Sequence, residues 1–159
     1  MNRRNVIGLS AWTVWGLALL SGNAIADQAA DMEGVKAASK AFYTALAVLD
    51  NGEAMAKVWA HTPYITNLGP FSKTIAVGWD ANAKYWEPAN KTFASRHATL
   101  AEAQMHVDGN VAWEMGKEVG EAKMKDGSVT KIDWFATNVY EKIDGHWLMV
   151  SHHVQATPL

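Results

Sequence analysis

The chain of 159 residues carries 14 basic and 16 acidic side chains, is 49% hydrophobic and contains no cysteine. The missing cysteines exclude disulfides, thiolate metal sites and a cysteine nucleophile together. The slightly acidic balance offers nothing to a phosphate backbone, so nucleic acid is not an expected partner.

Residues 1–26 read as a leader. Arg3 and Arg4 precede a mostly apolar run from Val6 to Leu20, and Ala24-Ile25-Ala26 places small residues where a signal peptidase cuts, before Asp27. The expectation is a cleaved signal peptide and an exported protein, periplasmic or secreted, with no membrane contact after cleavage. The paired arginines leave the twin-arginine and general secretory routes both open. The remaining residues, 27–159, suit one domain that buries about two-thirds of its unfolded surface.

Along that domain, Val35, Ala38, Phe42, Ala45, Leu46 and Leu49 recur at helical spacing, which predicts a helix from Ala30 to Leu49 with one buried face. Asp50-Asn51-Gly52 ends it. A shorter helix follows from Glu53 to about His61 and stops at Thr62-Pro63, because proline disfavours helical geometry in the residue before it. Tyr64 to Leu68 and Ser72 to Val77 read as short strands. Asp80 is the expected N-cap of a third helix that carries Trp86 and is disturbed at Pro88. Asp108-Gly109, Asp126-Gly127 and Asp144-Gly145 then punctuate the second half as hairpin turns, since Gly and Asp tolerate the positive φ that tight turns require. The order is α+β: about three helices, two short strands and a four-stranded antiparallel meander that curls around the helices into a cone.

Two-residue loops at each Asp-Gly would collect Trp113, Met115, Trp134, Asn138, Tyr140, Met149, Ser151 and His153 on one face of the sheet. The other face would hold Glu114, Glu118, Phe135, Thr137, Val139, Leu148, Val150, His152 and Val154. One bulge would exchange the faces.

Several strings resemble one family. Phe42-Tyr43-Thr44-Ala45-Leu46 with Asp50, then Met55 to Trp59, Gly69-Pro70, Gly78-Trp79-Asp80, Trp86 and the closing run Val139 to Gln155 resemble the SnoaL-like branch of the nuclear transport factor 2-like superfamily. The resemblance implies a cone of curved sheet on helices, a pocket at the wide end and a homodimer through the outer sheet face. Chemistry does not follow, because this fold hosts isomerases, dehydratases, cyclases and non-catalytic binders. The position of the ketosteroid isomerase base falls at Thr66 or Asn67, neither of which takes a proton, while the helix-one tyrosine of those enzymes falls near Phe42 or Tyr43. The closing strand also resembles the association domain of calcium/calmodulin-dependent kinases, an assembly and ligand-binding module.

His153 is the first candidate for acid–base work, with Tyr43 as its partner, because an imidazole titrates near neutral pH. Asn138 and Ser151 beside it would orient a carbonyl. No carboxylate is predicted on that face, so a histidine satisfied by its neighbours is the competing reading. Tyr43, Trp59, Tyr64, Asn67, Trp113, Trp134 and Tyr140 are the expected walls of a pocket for a small apolar or aromatic molecule. Glu114, Glu118 and Glu121 read as a solvated edge. Adjacent histidines on a strand diverge, so no metal site is expected, and no cofactor. Two functions stay open: a ligand-binding domain, favoured by the absent carboxylate, and a cofactor-independent isomerase or lyase using His153 with Tyr43 or Tyr64.

Overall fold

The computed structural model describes residues 17–87 and 89–156, with side chains described for 27–87 and 91–156. Most of the expected leader, the paired arginines included, lies outside the described residues. Four helices precede or interleave with six strands: α1 (Leu17–Ala47), α2 (Gly52–Val58), β1 (Thr66–Leu68), β2 (Ala76–Val77), α3 (Trp79–Trp86), α4 (Ala89–Thr92), β3 (Phe93–Asp108), β4 (Val111–Met124), β5 (Val129–Ile143) and β6 (His146–Ala156). The sheet order is β2-β1-β6-β5-β4-β3, antiparallel throughout except for β1, which runs parallel to β6. No described helix is long and apolar enough to cross a membrane.

The apolar stripe of α1 lies on one face of this sheet. Val35, Phe42, Tyr43, Ala45 and Leu46 are buried, and Phe42 meets Trp59 and Trp86 edge-on at centroid distances of 6.3 and 6.1 Å. Burying three rings of this size against each other is worth several kcal/mol at about 25 cal/mol per Å² of apolar surface. Asp31 anchors the start of the buried stretch by accepting from Lys142 at 2.5 Å and from Trp147 Nε1 at 3.3 Å. The lysine holds the Asp31 carboxyl below the usual range.

Two one-residue shifts decide which side chains share the α1 face. At Asp144-Gly145 the loop has two residues, both with positive φ (50° and 81°), as expected. At Asp126-Gly127 it is one residue longer. Met124 N donates to Ser128 O at 2.8 Å, enclosing Lys125, Asp126 and Gly127, while Asp126 Oδ1 accepts from Ser128 N and Oγ. Gly127 takes the left-handed position at φ 89°, the usual geometry of three-residue hairpin loops. Trp113 therefore opposes Val139 instead of Tyr140, and Glu114 opposes Asn138. A slip of one residue turns a whole strand over, so Trp113 and Met115 point outward and are exposed while Glu114 and Glu118 are buried.

The second shift is a bulge in β6. Tyr140 pairs with Met149 as expected, but Val139 then pairs with Ser151, leaving Val150 extra. His152 consequently opposes Asn138 and is buried, and His153 is exposed. The expected faces are thereby corrected at both outer members of the set: β5 keeps Trp134, Asn138 and Tyr140 inward, yet its neighbours there are Glu114, Glu118 and His152.

Candidate functional site

Facing α1, these residues form one buried polar cluster. Glu114 Oε1 accepts from Ser39 Oγ at 2.8 Å, Asn138 Nδ2 at 2.8 Å and Tyr140 Oη at 2.6 Å. Glu118 Oε1 accepts from Tyr43 Oη at 3.1 Å. Asn138 Nδ2 also donates to Tyr43 Oη at 3.3 Å, and Asn138 Oδ1 lies 2.6 Å from His152 Nδ1. Since both amide hydrogens are turned to oxygens, Oδ1 is the acceptor and His152 carries its proton on Nδ1. Nε2 is left with a lone pair 3.7 Å from Glu118 Oε1.

Burial governs the charges. It pushes His152 down to about 3, with electrostatic repulsion from His153 and Arg96 adding to the effect. It pushes Glu118 up to about 7, against the opposing pull of the Tyr43 hydrogen bond and the Arg96 charge. The close approach of His152 and Glu118 is therefore not an ion pair. The imidazole is neutral, and the ionisable proton of the pair belongs to Glu118. Tyr43 and Tyr140 are both raised far above the ordinary phenol, burial being the largest cause and neighbouring carboxylates the next, so both act as donors.

The expected pocket is only partly where it was placed. Trp59, Asn67, Asn138 and Tyr140 are fully buried in packing. Asn67 Nδ2 donates to Asn82 Oδ1 at 2.8 Å, and Trp86 Nε1 shares that oxygen at 3.1 Å. Ser151 is half-buried and hydrogen-bonds Thr66 through their hydroxyls at 2.9 Å. Tyr64 is exposed and donates to Glu141 Oε2 at 2.6 Å. Trp113 and His153 lie on the outer face. Two cavities flank the cluster instead. One, of about 430 Å³, is lined by Phe71, Tyr85, Trp86, Phe93, Arg96, Ala122, Ile132 and Trp134. The other, of about 560 Å³, lies between α1 and β3, with Tyr43 and Glu114 in its wall and Lys36 and Lys40 beside them. Of the expected pocket residues, Trp134 lines the first and Tyr43 the second. Glu118 is the cross-strand partner of Trp134, so the polar cluster backs directly onto the aromatic cavity.

Arg96, Trp86 and the two glutamates were absent from the sequence-based site. Glu114 and Glu118, four apart on a strand, must share a face, and Gly116 and Gly120 complete the same row. That acid and glycine alternation was the available signal. Among the described residues, no group of three histidine or carboxylate side chains is arranged to hold a metal.

A curled six-stranded sheet closed by a long helix, with a polar cluster and aromatic cavity inside, defines an α+β domain of the nuclear transport factor 2-like class. Residues 35–156 match the SnoaL-like domain, and the chain belongs to that family. No curated protein matches the chain. Among solved structures, it is similar to a candidate dehydratase of the NTF2-like family from Streptomyces avermitilis, with 18% identity, TM-score 0.71, and coverage of 82% of this chain and 99% of the other. An NTF2-like superfamily protein from Salmonella enterica serovar Typhimurium gives 20% identity, TM-score 0.65, and coverage of 83% and 92%. The association domain of C. elegans calcium/calmodulin-dependent protein kinase II gives 14%, 0.61, and 82% and 98%. At such identities these likenesses establish the fold alone.

Proposed function

We propose that this domain binds a small apolar or aromatic molecule in the cavity of about 430 Å³. The observation that carries the reading is the wall itself: Phe71, Trp86, Phe93 and Trp134 present four aromatic side chains to one concave space of ligand size. Phe71 is 75% exposed and touches Trp134 edge-on at 5.6 Å, so the mouth is rimmed by an aromatic side chain that water surrounds. Titration with 2-naphthol, followed by tryptophan fluorescence and calorimetry, should show one site per chain. Ala122→Phe, which fills the cavity from β4, should abolish it. No binding, or binding indifferent to that variant, removes the reading.

A second reading, isomerase or lyase chemistry without a cofactor, is supported by Glu118. A carboxyl whose pKa is pushed up to about 7 beside a neutral imidazole is suited to take and return a proton near neutral pH. Glu118 is the acid–base group in this reading and Tyr43, Asn138 and His152 are positioning residues; His153, on the outer face, has no part in it. Exchange of the protons beside the carbonyl of 2-tetralone in D₂O tests it. Catalysed exchange lost in Glu118→Gln supports the reading, and exchange equal in both proteins ends it.

The domain is further proposed to be exported after cleavage at Ala26 and to act as a homodimer through the outer sheet face. N-terminal sequencing of protein recovered from the cell exterior or periplasm should begin at Asp27.

A further inference from the structure

One ionised side chain stands in the wall of the aromatic cavity. Arg96, on β3, turns Nε and Nη2 toward the Leu46 carbonyl in the last turn of α1, at 3.0 and 2.8 Å. That bond satisfies a helix-end carbonyl and uses one edge of the guanidinium. Its carbon lies 5.1 Å from the centre of the Phe93 ring and 5.9 Å from that of Trp86. Among the described residues no carboxylate lies within 4 Å of it, and no hydrogen bond uses Nη1. Glu118 feels its charge, but burial draws that carboxyl toward the neutral form, which makes it an incomplete counter-ion. Tyr85 lines the same space, and its phenol also feels the Arg96 charge.

We propose that the ligand of this cavity is a monocarboxylate on an aromatic or long aliphatic body, its carboxylate taken by the free Nη1 of Arg96 and its body packed on Phe93, Trp86 and Trp134. A half-buried cation in apolar surroundings is costly until an anion meets it, and a charged donor makes the stronger kind of hydrogen bond. A single guanidinium neutralises one negative charge. No lysine lines this cavity, so a doubly charged phosphate would bring one charge more than its wall can balance.

The proposal rests on the cavity-binding reading above, and the test separates the two. Calorimetric titrations of the full mature chain would compare 2-naphthoate with the neutral 2-naphthamide. The expected result is naphthoate bound at least about tenfold more tightly, the scale of one charge-assisted bond. Arg96→Gln should erase the preference. Because Arg96 also holds the end of α1, a second variant guards against unfolding. Arg96→Lys keeps a cation that can donate to the Leu46 carbonyl and should retain a preference for naphthoate, which a loss through unfolding would not. Equal affinity of the two probes in the wild type overturns the carboxylate proposal while leaving the cavity reading standing. A preference that survives Arg96→Gln overturns it too. If neither probe binds, the cavity reading and this proposal fall together.

Discussion

His152 donates its Nδ1 proton to Asn138 Oδ1 across 2.6 Å, and this contact orients the rest of the buried cluster. With its oxygen occupied, the Asn138 amide group is committed to Glu114 and Tyr43, and the imidazole is left facing Glu118 through an unprotonated nitrogen. Four elements, α1, β4, β5 and β6, thus meet in one hydrogen-bonded chain.

Asn138→Leu should break that chain. Glu114 loses a donor and His152 loses its acceptor inside a water-excluded space, which costs about 2–4 kcal/mol. Urea unfolding should show the midpoint fall with an unchanged slope. The same substitution should scramble the His152 tautomer, visible in nitrogen chemical shifts of the imidazole. A neutral Nδ1–H ring retained in the variant would falsify the assigned role of Asn138.

Glu118 makes stability depend on pH. Its folded pKa of about 7 lies above the value of 4.5 for the free group, so between these values the folded state holds a proton that the unfolded state has released. Stability from this residue therefore falls as pH rises from about 4.5 to 7, by up to about 3 kcal/mol. His152 works in the opposite direction. Its pKa of about 3, against 6.5 for the free group, removes stability as pH falls below 6.5. Comparing wild type with Glu118→Gln isolates the first effect: the glutamine variant should gain relative stability from pH 5 to pH 8. Parallel curves would mean that Glu118 is ionised throughout.

The outer sheet face should form the dimer. Val111, Trp113, Met115 and Phe135 leave 41–52% of their surfaces in water, a cluster that a second copy would cover. Val154, which the sequence assigned to this face, is buried inward and contributes nothing to it. Met115→Lys should shift the sedimenting species from two chains to one without lowering the melting temperature of the monomer. A wild-type monomer at micromolar concentration would remove the basis for this interface.

Gly120 is required by closeness rather than by turn geometry. A Cβ there would lie 2.0 Å from the His97 carbonyl oxygen and 2.9 Å from Ala98 Cα, both backbone atoms of the neighbouring strand. Gly120→Ala must push β3 away from β4 and should cost about 1–3 kcal/mol, read as a drop in the thermal midpoint. Gly52→Ala, where nothing stands within 4 Å, is the control and should leave the midpoint nearly unchanged.

Local chemistry was enough to make the order of elements legible. Helical spacing from Val35 to Leu46 defined the buried stripe of α1, and the Asp-Gly pairs marked the hairpins, although the first loop is Gly109-Asn110 with Asp108 paired to Val111. The second helix ends at Val58, short of the expected stop at Pro63, because Trp59 turns extended and Ala60 N donates to Met149 O. The resemblance carried by Phe42 to Leu46 and by the closing strand led to the correct fold. Asn138, Tyr140 and Trp134 were correctly placed on one face because a single strand fixes its own alternation. What stood beside them depended on two events that local sequence does not settle. One was an extra loop residue at Lys125, held by bonds between Asp126 and Ser128; the other was Val150 displaced where β6 bends along the sheet. Each moves a register by one, and since side chains alternate with a period of two, the first exchanges the faces of β4 and the second those of β6 beyond Val150. His153 gave way to His152, and the exposed edge expected of Glu114 and Glu118 became the floor of the buried cluster. The raised Glu118 pKa and the place of Arg96 in the cavity wall exist only in the packed molecule, because burial and the packing of α1 on β3 create them.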